Sequence, residues 1–145
     1  MKFLNDLGVK HLLWGKWGQI IERIEETFLD DSAKMVPKIY LDGDDGDFRA
    51  MPAAFKKYAC LKWIGVYPNN HLVSSLPTTL GTLLLNDRET GRPLIAMDCT
   101  TLTAYRTAAT SAIAAKYCAP NNIREIAFVG CGLQAYYHFL AYRSV

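Results

Sequence analysis

The feature that most constrains this 145-residue chain lies near its end. Residues Glu125–Val129 (EIAFV) form a short apolar run, the pattern of a strand buried on both faces. Gly130-Cys131-Gly132-Leu133-Gln134-Ala135 follows at once, and a helix-compatible stretch, Gln134 to Arg143, comes next. Strand, G-x-G-x-x-A turn and helix in that order suit a phosphate. The first glycine lets the chain leave the strand sharply. The second removes a side chain where a pyrophosphate approaches the backbone, and the small third residue lets helix and strand pack closely. The helix N-terminus adds unpaired N–H groups and a partial positive charge. Dinucleotide binding is the reading, and an ordinary glycine-rich turn is the alternative. The acidic ribose ligand expected about 20 residues further on falls beyond Val145, so NAD and NADP cannot be told apart. The segment is expected to begin a Rossmann domain that the chain does not finish.

Upstream, Trp17, Ile20, Ile21, Ile24 and Phe28 recur at helical spacing and predict an amphipathic helix from Trp17 to Leu29. Strand-like segments follow. Lys38–Asp42 leads into a GDDGD turn at 43–47, and Phe48–Ala50 is expected to stop at Pro52. Tyr58–Tyr67 is a stronger strand. Leu80–Leu85 and Pro93–Met97 are joined by NDRETGR, where Asp87 and Gly91 favour a hairpin. Thr103–Tyr117, with six alanines, is a second helix whose small side chains permit close approach. The fold class is therefore α/β: an antiparallel or mixed sheet with helices, then the first strand, turn and helix of a Rossmann domain. The expected domains are 1–120 and 121–145.

Composition narrows the partners. Half of the residues are apolar, about a fifth are charged (21%), and the net charge is +2. The basic residues are scattered, so no stripe tracks a nucleic-acid backbone. No apolar run approaches the ~20 residues of a membrane span, and Asp6, Lys10 and Lys16 interrupt the N-terminal stretch where a signal-peptide core would lie. Cys60, Cys99, Cys118 and Cys131 form no C-x-x-C pair. They read as thiols of a reducing compartment, which points to the cytoplasm. No metal site is expected.

Three cations stand in apolar sequence: Arg49, Lys62 and Arg106. A buried cation is costly unless it meets an anion. One reading gathers them on a small carboxylate, which an arginine fork grips with two bonds. A lysine there can also polarise a carbonyl or move a proton. The other reading is a snorkelling lysine and an arginine paired with an internal carboxylate such as Asp98. The residues themselves leave both open. His11, His71 and His138 are assigned no role.

The segments PKIYLDGDDGDFRAMPA, LKWIGVYPNN, LPTTLGTLLLNDRETGRPLIAMD, LTAYRTAATSAIAAKY and VGCGLQAYYHFLA occur in that order. Together they resemble the ornithine cyclodeaminase/mu-crystallin family, most closely its alanine dehydrogenase branch. The resemblance runs from about Pro37 to Val145. It implies a subunit of two domains, a substrate-binding and dimerising sheet followed by a Rossmann domain for NAD or NADP. The implied chemistry passes a hydride between nicotinamide and the α-carbon of an amino acid or imine. Carried onto this sequence, Arg49 holds the substrate carboxylate and Lys62 is the catalytic lysine of the pocket. Arg106 lies between substrate and cofactor. Thr78, Thr107 and the turn Gly130, Cys131, Gly132, Leu133, Gln134 and Ala135 contact the cofactor. Asn69-Asn70-His71 departs from the Pro/Gly-Asn-Pro-type loop of many members.

The resemblance also implies that the catalytic aspartate and the rest of the Rossmann domain lie outside these residues. The expectation is thus the N-terminal part of an NAD(P)-dependent amino-acid oxidoreductase or cyclodeaminase, inactive as this chain and prone to dimerise. The alternatives are a non-catalytic mu-crystallin-like small-molecule binding protein, or a truncated reading frame without function.

Overall fold

The computed structural model describes all residues from Met1 to Val145. By contacts the chain divides into two compact units, Met1–Val9 with Asp31–Thr100, and Lys10–Asp30 with Thr101–Val145.

The first unit is a seven-stranded mixed sheet. Its strands are β1 (Lys2–Leu4), β2 (Lys34–Met35), β3 (Ile39–Asp42), β4 (Asp47–Phe55), β5 (Tyr58–Val66), β6 (Thr79–Asp87) and β7 (Pro93–Asp98). The order is β1-β7-β6-β5-β4-β2, with β3 also paired to β4. Every pairing is antiparallel except that of β1 with β7. The hairpin-joined strands β3–β4, β4–β5 and β6–β7 are neighbours, as tight connections allow. In the β6–β7 hairpin, Asp87 Oδ1 accepts bonds from the N–H groups of Glu89 (3.1 Å) and Thr90 (2.8 Å) and from the Thr90 hydroxyl (2.7 Å). Gly91, at φ +72°, returns its N–H to the Asp87 carbonyl at 2.9 Å.

One expectation fails at Pro52, where β4 does not stop. It continues to Phe55 and pairs with β5 over its whole length. On its other edge β3 pairs as far as Ala50 and β2 begins at Ala53. Pro52 sits at the gap between them, where a missing N–H breaks no ladder.

The second unit is helical. It holds α2 (Trp17–Leu29) and α5 (Leu133–Tyr142), and nearly all of α4 (Thr100–Cys118). The helix α1 (Asp6–Leu13) starts in the first unit and ends in the second, and α3 (Asn70–Val73) is a short turn of helix in the sheet unit. The apolar stripe of α2 buries Trp17 and Ile21 against Ala104, Tyr105, Ala108, Ala109 and Ala112 of α4 and Tyr137 and Ala141 of α5. The alanines do what their size allows, bringing backbones close enough for three aromatic rings to fill the middle. No helix is long and apolar enough to cross a membrane.

A second expectation fails at 125–129. These residues form no strand and are exposed. A strand is made by its pairing, and no segment of the second unit offers one. The apolar side chains Ile126, Phe128 and Val129 are left in contact with solvent.

Candidate functional site

The two middle strands of the sheet set the first part of the site. Side chains alternate along a strand, and directly paired residues share a face. Arg49 and Met51 of β4 therefore share a face, and Met51 pairs with Lys62 of β5. Arg49 and Lys62 are thus diagonal neighbours on one face of the sheet. Tyr40 joins them through its pairing with Arg49, and Leu83 through its pairing with Lys62. Lys62 is half-buried. Cys60, two residues away on the same face, has its thiol pushed up by burial, with a backbone bond at Ala53 and the nearby Lys62 charge pulling the other way.

Arg49 is already engaged. Its Nε donates to Asp47 Oδ1 at 2.5 Å and its Nη2 to Asp47 Oδ2 at 2.9 Å. Both side chains are only partly exposed, at 30% and 23%. The hydrogen bond to Arg49 is the main reason that the Asp47 carboxyl is held below its ordinary value, and the same bond raises Arg49. The guanidinium carbon also lies 5.4 Å from the centre of the Tyr40 ring, a cation–π distance. These contacts use the side edge of the guanidinium. An arginine has five N–H donors, and the outer pair on its two Nη atoms suits a second carboxylate.

Sequence reasoning missed Asp47 and Tyr40. The signal for Asp47 was available, since D-x-R on a strand puts both side chains on one face. The carboxylate considered there, Asp98, instead accepts the Thr100 N–H at 2.8 Å with Oδ1, at the start of α4.

Thr78 lies in the first unit, exposed before β6, and its carbonyl accepts the Tyr67 N–H at 2.8 Å. Arg106 and Thr107 are on α4 in the second unit. Arg106 is exposed. The Thr107 hydroxyl donates to the Thr103 carbonyl at 2.7 Å.

The glycine-rich turn has the form a phosphate needs. Gly130 adopts φ +101°, a conformation open to glycine and strained for other residues. Gly132 is the N-cap of α5 at φ −79°, with no side-chain cap and no acidic residue in the first turn. A Cβ built on either glycine meets nothing within 4 Å. No side chain caps the helix N-terminus, and the space over both glycines is open. A cavity of about 360 Å³ lies alongside, lined by Phe128, Gly130, Gly132, Gln134, Ala135 and His138 among others. These residues fit the pyrophosphate of a dinucleotide. Cys131 and Leu133 are exposed in the same turn. The helix is fixed from behind: His138 Nε2 lies 3.0 Å from Ser111 Oγ of α4, and its Nδ1 lies 2.7 Å from the Gln134 carbonyl.

A family model for "Ornithine cyclodeaminase/mu-crystallin family" matches residues 4–145. The chain belongs to the ornithine cyclodeaminase/mu-crystallin family. Within it, an alanine dehydrogenase of Archaeoglobus fulgidus is 48% identical over 130 residues, covering 88% of this chain and 40% of that protein. An ornithine cyclodeaminase of Agrobacterium fabrum is 36% identical over 128 residues, covering 88% of this chain and 36% of that protein. Among solved structures, an archaeal alanine dehydrogenase dimer with bound NAD superposes with a TM-score of 0.93 at 40% identity, over 99% of this chain and 45% of that one. The Δ1-pyrroline-2-carboxylate reductase of Thermococcus litoralis, in complex with NADH and L-proline, gives 0.89 at 30% identity over 99% and 46%. The chain thus spans about 40% of the length of the curated relative at 48% identity. Of these two solved structures, the first holds NAD and the second NADH.

Proposed function

We propose that these residues supply the substrate face and the pyrophosphate turn of an NAD(P)-dependent oxidoreductase or cyclodeaminase acting at the α-carbon of a small amino acid or its imine. The observation that carries this is the pairing of two features. One sheet face presents Arg49 and Lys62, and a bare α5 N-terminus follows Gly130. In this reading, 1–120 forms the substrate-binding and dimerising domain and 121–145 opens the Rossmann domain. The subunit works as a homodimer in the cytoplasm. The 48% identity to an alanine dehydrogenase favours alanine-type chemistry over cyclodeamination.

Arg49 holds the substrate carboxylate through its outer Nη fork. Lys62, on the same face, moves a proton at the substrate nitrogen or polarises its carbonyl or imine carbon. The family resemblance assigns Arg106 to substrate and cofactor and Thr107 to the cofactor. The backbone N–H groups of Gly132 to Ala135 bind the pyrophosphate, aided by the helix dipole. When bound, the nicotinamide supplies the hydride acceptor or donor.

Residues 1–145 alone are proposed to turn over no substrate. Hydride transfer needs the nicotinamide held in near-attack geometry, and residues 125–129 have no strand partner to hold the turn in a sheet. An alanine- and NAD-dependent rate from the purified chain would refute this. The functional reading is tested by joining residues 1–145 to the remainder of the Archaeoglobus fulgidus alanine dehydrogenase. NAD-dependent oxidation of L-alanine is expected. A hybrid that folds and binds NAD yet oxidises neither L-alanine nor another amino acid, and does not cyclise ornithine, contradicts it.

A further inference from the structure

Asp47 and Asp42 are directly opposite each other across the β3–β4 pair. Like charges in that position destabilise a sheet unless a cation intervenes. Arg49 supplies it, bound to Asp47 through Nε and Nη2. The acidic position is fixed by the turn before it. The Gly43 N–H bonds the Gly46 carbonyl at 2.9 Å, and a Cβ at Gly46 would collide with the Val66 carbonyl and the Tyr67 ring. Strand β4 therefore begins at Asp47 with little freedom to slide.

The face that presents Arg49 and Lys62 thus carries two cations and, at its β3–β4 end, two carboxylates. Such a face suits a molecule with one carboxylate. A second carboxylate that reaches the β3–β4 end of this face would meet Asp47 and Asp42, two like charges.

We propose that Asp47 is a specificity-determining residue: it holds Arg49 by its side edge, leaves the outer fork for one carboxylate, and repels ligands that carry two. This rests on the proposed function, in which Arg49 binds the substrate carboxylate. Asp47 acts through charge and through Arg49.

The test measures binding of L-alanine and L-aspartate to the 145-residue chain by NMR, following the side-chain N–H signals of Arg49. L-Alaninamide, which lacks the carboxylate, is the control. The wild-type chain is expected to bind L-alanine more tightly than L-aspartate and to ignore L-alaninamide. Asp47→Asn is expected to move the ratio of the two dissociation constants roughly tenfold toward L-aspartate, the order of one removed charge at a half-buried site. Asp47→Glu keeps the charge and is expected to restore the wild-type ratio, which a purely structural role for Asp47 would not require. Because the readout is a ratio in one variant, a general loss of stability cancels. An unchanged ratio in Asp47→Asn, with L-alanine still bound, overturns the role of Asp47 and leaves the functional reading standing. No response of Arg49 to L-alanine in the wild-type chain overturns the specificity role of Asp47, while turnover of L-alanine by the hybrid enzyme decides the functional reading separately.

Discussion

Trp17 of α2 stacks on Tyr105 of α4, with ring centroids 4.5 Å apart and planes inclined by 27°. Tyr137 of α5 meets Tyr105 edge-on at 5.0 Å, so one ring from each helix joins the centre of the helical unit. Trp17 is buried at 8% exposure. Trp17→Ala is expected to cost about 3–5 kcal/mol, the usual range for emptying an aromatic site. Urea unfolding followed by circular dichroism checks this. A loss below about 1 kcal/mol would mean that the three rings do not form the core of the unit.

The two glycines of the turn are predicted to behave differently. Gly130 needs its φ of +101°, so Gly130→Ala should destabilise the turn by about 1–2 kcal/mol. Gly132 sits at φ −79° with open space around it, so Gly132→Ala should change stability by less than about 0.5 kcal/mol. Its methyl group would still occupy the space of the pyrophosphate. In the hybrid enzyme Gly132→Ala is expected to weaken NAD binding while the melting temperature stays put. Equal NAD affinity in wild type and Gly132→Ala would argue that the bare glycine serves no ligand.

Stability should fall at both ends of the pH scale, with Glu25 at the centre. Glu25 accepts bonds from the Tyr117 hydroxyl and from Lys116 Nζ at 2.9 Å. The Tyr117 bond, then the Lys116 bond, holds the Glu25 carboxyl below its ordinary value. That contribution is present above the unfolded pKa and is lost as pH falls through the lower folded one, below about pH 4.3. Tyr117 and Lys116 are both raised, chiefly by the bond to Glu25. Their contributions are complete below their unfolded values and fade as pH climbs past about 10. Denaturation midpoints for wild type and Glu25→Gln across pH should differ at neutrality and converge in acid. A difference that persists at pH 3 would show that the ion pair is not the cause.

Asp87 is the hinge of the β6–β7 hairpin, and three donors converge on its Oδ1. Those bonds hold its carboxyl below the ordinary value, the Thr90 hydroxyl first. Asp87→Ala is expected to lower the urea midpoint, with Asp87→Asn recovering part of the loss. Equal stability of all three proteins in urea would mean that Gly91 alone specifies the turn.

Much of this fold is legible in the residues. The 3-4 spacing of Trp17, Ile20, Ile21, Ile24 and Phe28 marks α2 at both ends, and the alanines of 103–117 mark α4 to within three residues at its start. The strand β1 is not legible, because three residues carry no period and its parallel partner β7 is distant in sequence. The helix α1 escapes for a similar reason: Leu7, Val9, Leu12 and Leu13 make too short a stripe, of which Val9 alone is buried. Pro52 reads as a stop because the gap beside β4 exists only once β2 and β3 have paired. The family motifs single out Arg49 and Lys62. Their shared face follows from the Met51–Lys62 register, a nonlocal fact that no local pattern encodes. The strand expected at 125–129 is a case of correct local pattern without the neighbours that would realise it.

The most direct test of the account is the Lys62→Met variant of the hybrid enzyme, assayed for L-alanine-dependent formation of NADH. Methionine matches the apolar stem of lysine and removes its amine, with the proton and the charge. If Lys62 is the proton-transferring group on the Arg49 face, kcat falls by about 10²–10⁴-fold, while NAD affinity and the melting temperature hold. A Lys62→Met enzyme that turns over L-alanine at the wild-type rate would contradict the assignment of this sheet face as the catalytic surface.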